Sequence, residues 1–317
     1  VSEISLFRIA EGRAAELPGS AAVIERALQR LFEANLEPLL GVRFLATEYS
    51  TGPVHGGRID TLGLDEDGSP VIIEYKRDAK DTVINQGLFY LDWLMDHRGD
   101  FELLVHKTLG AEAAAAIDWS GPRLLCIAGD FTHYDTYAVK QIPRNIELLR
   151  YRLFDTDLLM IEMVHSPKEA RSTPRPAARP ADRPSADSPP SAPATPSRRS
   201  DLIAYRISQT TGPLLELFEA VRGHLAELGD DVQVKQQLHY VAFKRIKNFA
   251  CLEVYPTVKV VTVFLKVDPK TVAPEEGFIR DMTGIGHFGT GDLQVSLRSM
   301  ADFARAQPLF LRSYEGV

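Results

Sequence analysis

Apolar positions in the first 165 residues alternate between two periods. Ile4–Ile9 reads as a short strand. From about Ala21 to Leu40 the apolar residues Val23, Ile24, Ala27, Leu28, Leu31, Phe32 and Leu36 recur at helical spacing, behind a Ser20 able to cap a helix and ahead of Gly41, which ends it. Strand-like runs follow at Arg43–Tyr49, Arg58–Leu64 and Pro70–Arg77, the last two joined by an Asp65-Glu66-Asp67-Gly68 turn. Helical periodicity returns over Asp81–His97 and Gly110–Ile117, then strands at Arg123–Ala128, Asn145–Phe154 and Leu158–Val164. This order predicts an α/β domain over residues 1–165, with one mixed central sheet flanked by helices.

The pattern stops over residues 166–200, "SPKEARSTPRPAARPADRPSADSPPSAPATPSRRS", where no aliphatic residue larger than Ala occurs. Such a segment buries too little apolar surface to offset the entropy of ordering, which predicts a flexible linker. Over residues 201–317 the pattern predicts a separate small α+β domain. Its helices are Pro213–Leu228 and Met300–Glu315; its strands are Tyr240–Lys244, Ala250–Pro256, Lys259–Lys266 and Leu293–Leu297.

Composition narrows the functional classes. The 317-residue chain carries a formal charge of −7, with its acidity before the linker and a net basic linker. It is therefore no strongly basic DNA-gripping protein, and nucleic-acid binding would need a local basic patch or bound cations. Cys126 and Cys251 sit inside apolar runs in different predicted domains, which fits a reducing cytoplasm and excludes a cysteine cage for zinc. No stretch is apolar enough to span a membrane, and "VSEISLFRIA" lacks the features of a secretory signal. The expectation is a cytoplasmic protein with no membrane partner.

Candidate chemistry centres on "RIDTLGLDEDGSPVIIEYKR", residues 58–77. The turn brings Asp60, on one strand, to the same sheet end as Glu74 on its hairpin partner. Glu74 and Lys76, two apart, project from one face, while Tyr75 points the other way and offers its carbonyl. Two carboxylates and an ammonium at one point suit hydrolysis of a phosphodiester: hard oxygen ligands hold a divalent metal, and the cation steadies developing charge. The acids Asp65, Glu66 and Asp67 read as a solvated turn. Arg58 shares the face of Asp60, as a phosphate contact or an acid's partner. Arg77 and Lys80 are either phosphate contacts or a hairpin-end charge cluster. His55-Gly56-Gly57 reads as a turn, and His133-Tyr134 as structural.

This stretch resembles the PD-(D/E)xK nuclease superfamily, whose site is an Asp, a short hairpin and Glu-x-Lys. The likeness extends upstream to "LFEANLEPLLG", like the first core helix, and downstream to "INQGLFYLDWL", where Gln86 and Tyr90 match a Gln-x-x-x-Tyr signature of RecB-like branches. Over residues 20–105 the closest likeness is to NucS-type catalytic domains. There the nuclease domain follows a DNA-binding domain; here it comes first, so the chemistry alone is carried across. The resemblance implies a restriction-endonuclease-like fold and a metal-dependent DNA endonuclease of repair or defence. Asp60 and Glu74, with the Tyr75 carbonyl, would hold Mg²⁺ or Mn²⁺. Lys76 would orient water, Glu37 (with Glu33 as second choice) would help place the metal, and Gln86 and Tyr90 would tie the next helix to the site. It also implies a possible homodimer. A non-catalytic adaptor of the same fold, binding nucleic acid or protein, and a nuclease acting on RNA are the alternatives.

Residues 201–317 resemble a family known as domain of unknown function 5655, through "YVAFKRIKNFACLEVYP" and "RDMTGIGHFGTGDLQVSL". A hairpin loop with a packed aromatic accounts for the glycines, and His287 with Arg280 meeting an anion is the alternative. Strand alternation is expected to bury Tyr240, Phe243 and Phe249 and leave Lys244, Arg245 and Lys247 exposed. The domain is expected to recognise a substrate or partner.

Overall fold

Why the first helix is not continuous follows from one residue. Pro38 has no N–H, and its ring would clash with the carbonyl four residues back, at Ala34. In the computed structural model, which describes residues 4–20, 25–76, 83–155, 157–167 and 202–317, the helix breaks at Ala34–Asn35. It becomes α1, Glu25–Glu33, and α2, Leu36–Leu40, with Pro38 in the tolerated first turn of α2 and Gly41 closing it at φ 64°. Ala27 and Leu31 are exposed, so the buried stripe of α1 is Leu28, Gln29 and Phe32.

The chain divides into two compact units, Val1–Pro167 and Lys168–Val317. In the first, β1 (Leu6–Ala10) and β2 (Arg13–Leu17) form a separate hairpin, and β3 is Gly19–Ser20. The main strands are β4 (Val42–Ser50), β5 (Arg58–Asp65), β6 (Pro70–Lys76), β7 (Arg123–Ala128), β8 (Asn145–Phe154) and β9 (Leu158–His165). They form a seven-stranded sheet in the order β3-β8-β7-β6-β5-β4, with β9 also on β8. Strands β4, β5 and β6 pair antiparallel; β6, β7 and β8 pair parallel. This is the mixed α/β sheet flanked by helices that the apolar pattern predicts.

Both faces of the sheet are covered, which explains the unbroken burial of β6 and β7. Tyr75 meets Phe32 of α1 on one face, with ring centroids 5.8 Å apart. On the other, Ile72, Leu124 and Cys126 join Trp93 and Leu94 of α4 (Val83–Asp96) and Phe101 of α5 (Arg98–Leu109). The sequence pattern misses α5, which buries only Phe101 and Val105, and α7 (His133–Gln141), which buries only Val139. Two short helices complete the unit's described helices, α3 (Gly52–His55) after β4 and α6 (Ala111–Ala115) after α5.

The hairpin joining β5 to β6 is not the solvated turn its acids suggest. Asp65 is buried and pairs with Arg123 at 3.0 Å, and Arg123 forks onto both oxygens of Glu147 at 2.7 and 2.8 Å. The Asp65 carboxylate also accepts from the Asp67 and Ser69 peptide N–H groups, fixing the turn from within.

In the second unit, β10 (Gln233–Gln236), β11 (Val241–Lys244), β12 (Asn248–Tyr255), β13 (Val260–Leu265), β14 (Ile279–Asp281) and β15 (Leu293–Leu297) form one sheet, ordered β10-β11-β12-β13-β15-β14. Besides the short α8 (Ile203–Ser208), the helices are α9 (Pro213–Ala226) and α10 (Met300–Glu315), which pack on one face around Phe218, Phe249 and Phe310. The glycine-rich segment closes part of the other face over Tyr240, Ala242, Cys251, Phe264 and Met282. Gly289 and Gly291 have φ of 81° and 121°, and a Cβ at Gly291 would lie 2.6 Å from the Leu265 backbone. His287 stacks on Phe264 and Phe288 on His239, so the packed-loop reading holds for the aromatics of this segment. The cations do not stand free as alternation implies. Lys244 is buried, and Arg245 pairs with Asp231 and lies over Tyr314.

A candidate phosphodiesterase cleft

Asp60 and Glu74 meet through the backbone as well as through their side chains. The β5–β6 register pairs Thr61 with Ile73, which sets Asp60 beside Glu74. Glu74 Oε1 accepts from the Asp60 N–H at 3.1 Å, and Asp60 Oδ2 accepts from the Tyr75 N–H at 3.0 Å. From α1, Gln29 donates to the Asp60 carbonyl at 2.8 Å and also reaches Glu33 and Thr47.

Electrostatics at this pair follow from burial. Glu74 is fully buried, and desolvation, then the neighbouring Asp60 charge, push its pKa up to about 9. Asp60 rises to about 6, mainly by desolvation, with the Tyr75 N–H and Lys76 pulling the other way. Glu74 Oε2 is buried without a hydrogen-bond partner. A buried carboxylate oxygen left unpaired is costly unless a proton or cation meets it. Among the described residues, no group of three or more His, Cys, Asp or Glu side chains is arranged to hold a metal ion. Asp60 and Glu74 would offer a metal two carboxylates, with a carbonyl and water left to complete its shell. That suits Mg²⁺ or Mn²⁺, which keep several waters.

Lys76 extends from the same face and pairs with Glu25 of α1 at 3.1 Å. Burial alone would lower its pKa; the Glu25 bond and the Glu25, Asp60 and Glu74 charges outweigh that and hold it above the ordinary value. The acid that α1 delivers is thus Glu25. Glu33 bonds Thr61 at 2.6 Å, and Glu37 is exposed on α2 without a contact to Asp60, Glu74 or Lys76. Glu25, Gln29 and Glu33, spaced by four, form one helical stripe toward β5 and β6. The Pro38 break takes Glu37 off that stripe, one turn before Gly41, which lies against Glu66 at the turn end of the hairpin.

A cleft of about 690 Å³ opens over Asp60, lined also by Glu48, Arg58, Gln86, Tyr90, Gly56 and Gly57. The Tyr90 hydroxyl accepts from the Arg58 peptide N–H at 3.1 Å and from Gln86 at 3.2 Å, so the Gln-x-x-x-Tyr pair reaches the cleft wall behind Arg58. Arg58 pairs with Glu48 at 2.9 Å. Glu48 has no motif to mark it in the sequence; the β4–β5 register places it opposite Asp60. His55 lies on α3 with its ring 5.5 Å from Phe89, and His133 opens α7 as an exposed residue against Tyr137. Arg77 and Lys80 lie outside the described residues, as does most of the 166–200 segment.

Comparisons with known proteins add the following. Residues 207–315 match the model of a family described as a domain of unknown function, DUF5655. An uncharacterized protein of Haemophilus influenzae is 26% identical over 309 residues, covering 93% of this chain and 94% of that protein. A solved EndoMS–dsDNA2 complex aligns at 20% identity and a TM-score of 0.23, covering 40% of this chain and 43% of that one. The chain thus spans less than half of that structure's length. Among the described residues, no helix is long and apolar enough to cross a membrane.

Proposed function

We propose that the first unit is a metal-dependent nuclease that hydrolyses phosphodiester bonds of DNA, in repair or in defence against foreign DNA. One observation carries the reading: a fully buried carboxylate, with one oxygen unpaired, held against a second carboxylate at the floor of an open cleft. Asp60 and Glu74, with the Tyr75 carbonyl, would hold Mg²⁺ or Mn²⁺, which when bound supplies a nucleophilic water and neutralises phosphate charge. Lys76 would orient the attacking water and steady the charge that develops on the phosphorus oxygens. Arg58 meets a phosphate, its backbone fixed by Tyr90 and Gln86. Arg77 and Lys80, next along the chain, extend the phosphate contacts. The second unit recognises substrate or partner, and two copies of the chain would supply the two sites that a double-strand cut requires.

The test is incubation with single-stranded, duplex, flapped and mismatched DNA, and with RNA, in Mn²⁺. Cleavage that falls by about a hundredfold or more in Asp60→Asn and Lys76→Ala is expected, the loss typical of a charge-stabilising group. No cleavage of any substrate, or cleavage unchanged in both variants, would overturn the proposal. DNA binding without turnover would instead point to an adaptor of the same fold.

A further inference from the structure

Four described residues other than glycine adopt positive φ: Glu11, Glu48, Asp155 and Lys259. Three of them lie in the connections between paired strands: Glu11 between β1 and β2, Asp155 between β8 and β9, Lys259 between β12 and β13. Of these four, Glu48 alone lies inside a strand, with φ 49° two residues before the end of β4. A left-handed backbone at a Glu is strained and has no turn to serve here. Register explains its placement. Thr47 faces Thr61 and Tyr49 faces Ile59, so Glu48 stands across from Asp60 at the cleft. Its carboxylate meets the Arg58 guanidinium at 2.9 Å, both side chains being partly open to solvent.

Resting on the reading of this cleft as a phosphodiesterase site, we propose that Glu48 is an internal stand-in for a substrate phosphate. Its carboxylate holds Arg58 in a phosphate-binding posture while the cleft is empty and yields the guanidinium to the incoming phosphodiester. Arg58 is suited to the exchange, because its peptide N–H is anchored on Tyr90 while its side chain reaches into the cleft. A guanidinium fork accepts a carboxylate or a phosphate with the same geometry. Glu48 thereby selects for a ligand of higher charge than its own carboxylate and sets the threshold at which nucleic acid enters an otherwise acidic cleft. Glu48 acts through Arg58 and is a positioning residue.

A double-mutant cycle tests this, with binding of a short fluorescein-labelled DNA duplex read by anisotropy in EDTA and KM and kcat read in Mn²⁺. Glu48→Gln is expected to tighten binding and lower KM by about three- to fivefold, the size of a partly exposed ion pair. Arg58→Ala weakens binding, and adding Glu48→Gln to Arg58→Ala gives no gain. Glu48→Asp keeps the wild-type affinity. Weaker binding in Glu48→Gln, a gain that survives the loss of Arg58, or a change in thermal stability with affinity unaltered would each overturn the inference. If wild-type turnover is absent or indifferent to Asp60→Asn, the nuclease reading fails and this inference with it. Turnover that depends on Asp60 with no Glu48 effect sinks this inference alone.

Discussion

Glu74 accepts a hydrogen bond from the peptide N–H of Asp60 through one carboxylate oxygen and buries the other without a partner. The folded protein therefore retains protons that the unfolded chain releases: for Asp60 between its ordinary 3.8 and about 6, for Glu74 between 4.5 and about 9. Raised folded pKa values mean that the contribution of these two carboxyls to the stability of the metal-free protein is fully present below their ordinary values and is lost as pH rises, for Asp60 through about 6 and for Glu74 through about 9. Both tryptophans, Trp93 and Trp119, lie in the first unit, so their fluorescence reports its unfolding. In EDTA the urea midpoint of the wild type should fall relative to that of Glu74→Gln as pH rises from about 4.5 toward 9, and saturating Mn²⁺ should remove that relative fall. The same pH dependence in wild type and Glu74→Gln in EDTA contradicts the assignment.

Lys76 owes its raised pKa in part to Glu25. Glu25→Gln should move the alkaline limb of the kcat–pH profile to lower pH, since the ammonium then loses its proton more easily. Glu25→Asp should recover part of the shift. An unmoved limb with Lys76→Ala inactive would show that Glu25 contributes nothing to the charge state of Lys76.

Tyr90→Phe removes the acceptor of the Arg58 N–H while keeping the ring that fills the space beside Gly57. The cost expected is about 1–3 kcal/mol, the penalty of an unpaired, partly buried donor. Denaturant unfolding followed by tryptophan fluorescence measures it; a loss near zero would mean that water replaces the hydroxyl.

Arg123→Leu leaves Asp65 and Glu147 as two buried carboxylates without their cation. Destabilisation of about 3–5 kcal/mol is expected, as for breaking other buried ion pairs. Adding Asp65→Asn and Glu147→Gln to Arg123→Leu should recover much of it. If the triple variant is no better than the single one, packing and not charge is the source.

Much of this architecture was legible because its signals are local. The β5–β6 hairpin, the Glu74-x-Lys76 spacing and Gln86-x-x-x-Tyr90 can each be read within one short stretch of chain. The errors arose where a partner distant in sequence decides the outcome. Asp65 looks like any acid beside a glycine turn until Arg123, 58 positions on, is brought against it. Glu48 becomes relevant through a strand register that no periodicity specifies. The sequence names Glu37 and Glu33 as the helix's acids, and Glu25, which pairs with Lys76, has no motif to mark it. Helices α5 and α7 bury too few side chains to leave a stripe.

The two acidic residues of the proposed centre belong to a single covalent hairpin, whereas most of the cleft wall comes from β4, α3 and α4. Apart from Arg58, reaction and recognition are thus encoded in different stretches of chain. Changes in β4, α3 or α4 can alter what enters the cleft while the spacing of Asp60 and Glu74 stays fixed by a short loop and two peptide N–H groups. A lineage carrying this scaffold can exchange targets by remodelling the walls, and the hairpin inherits the chemistry unchanged.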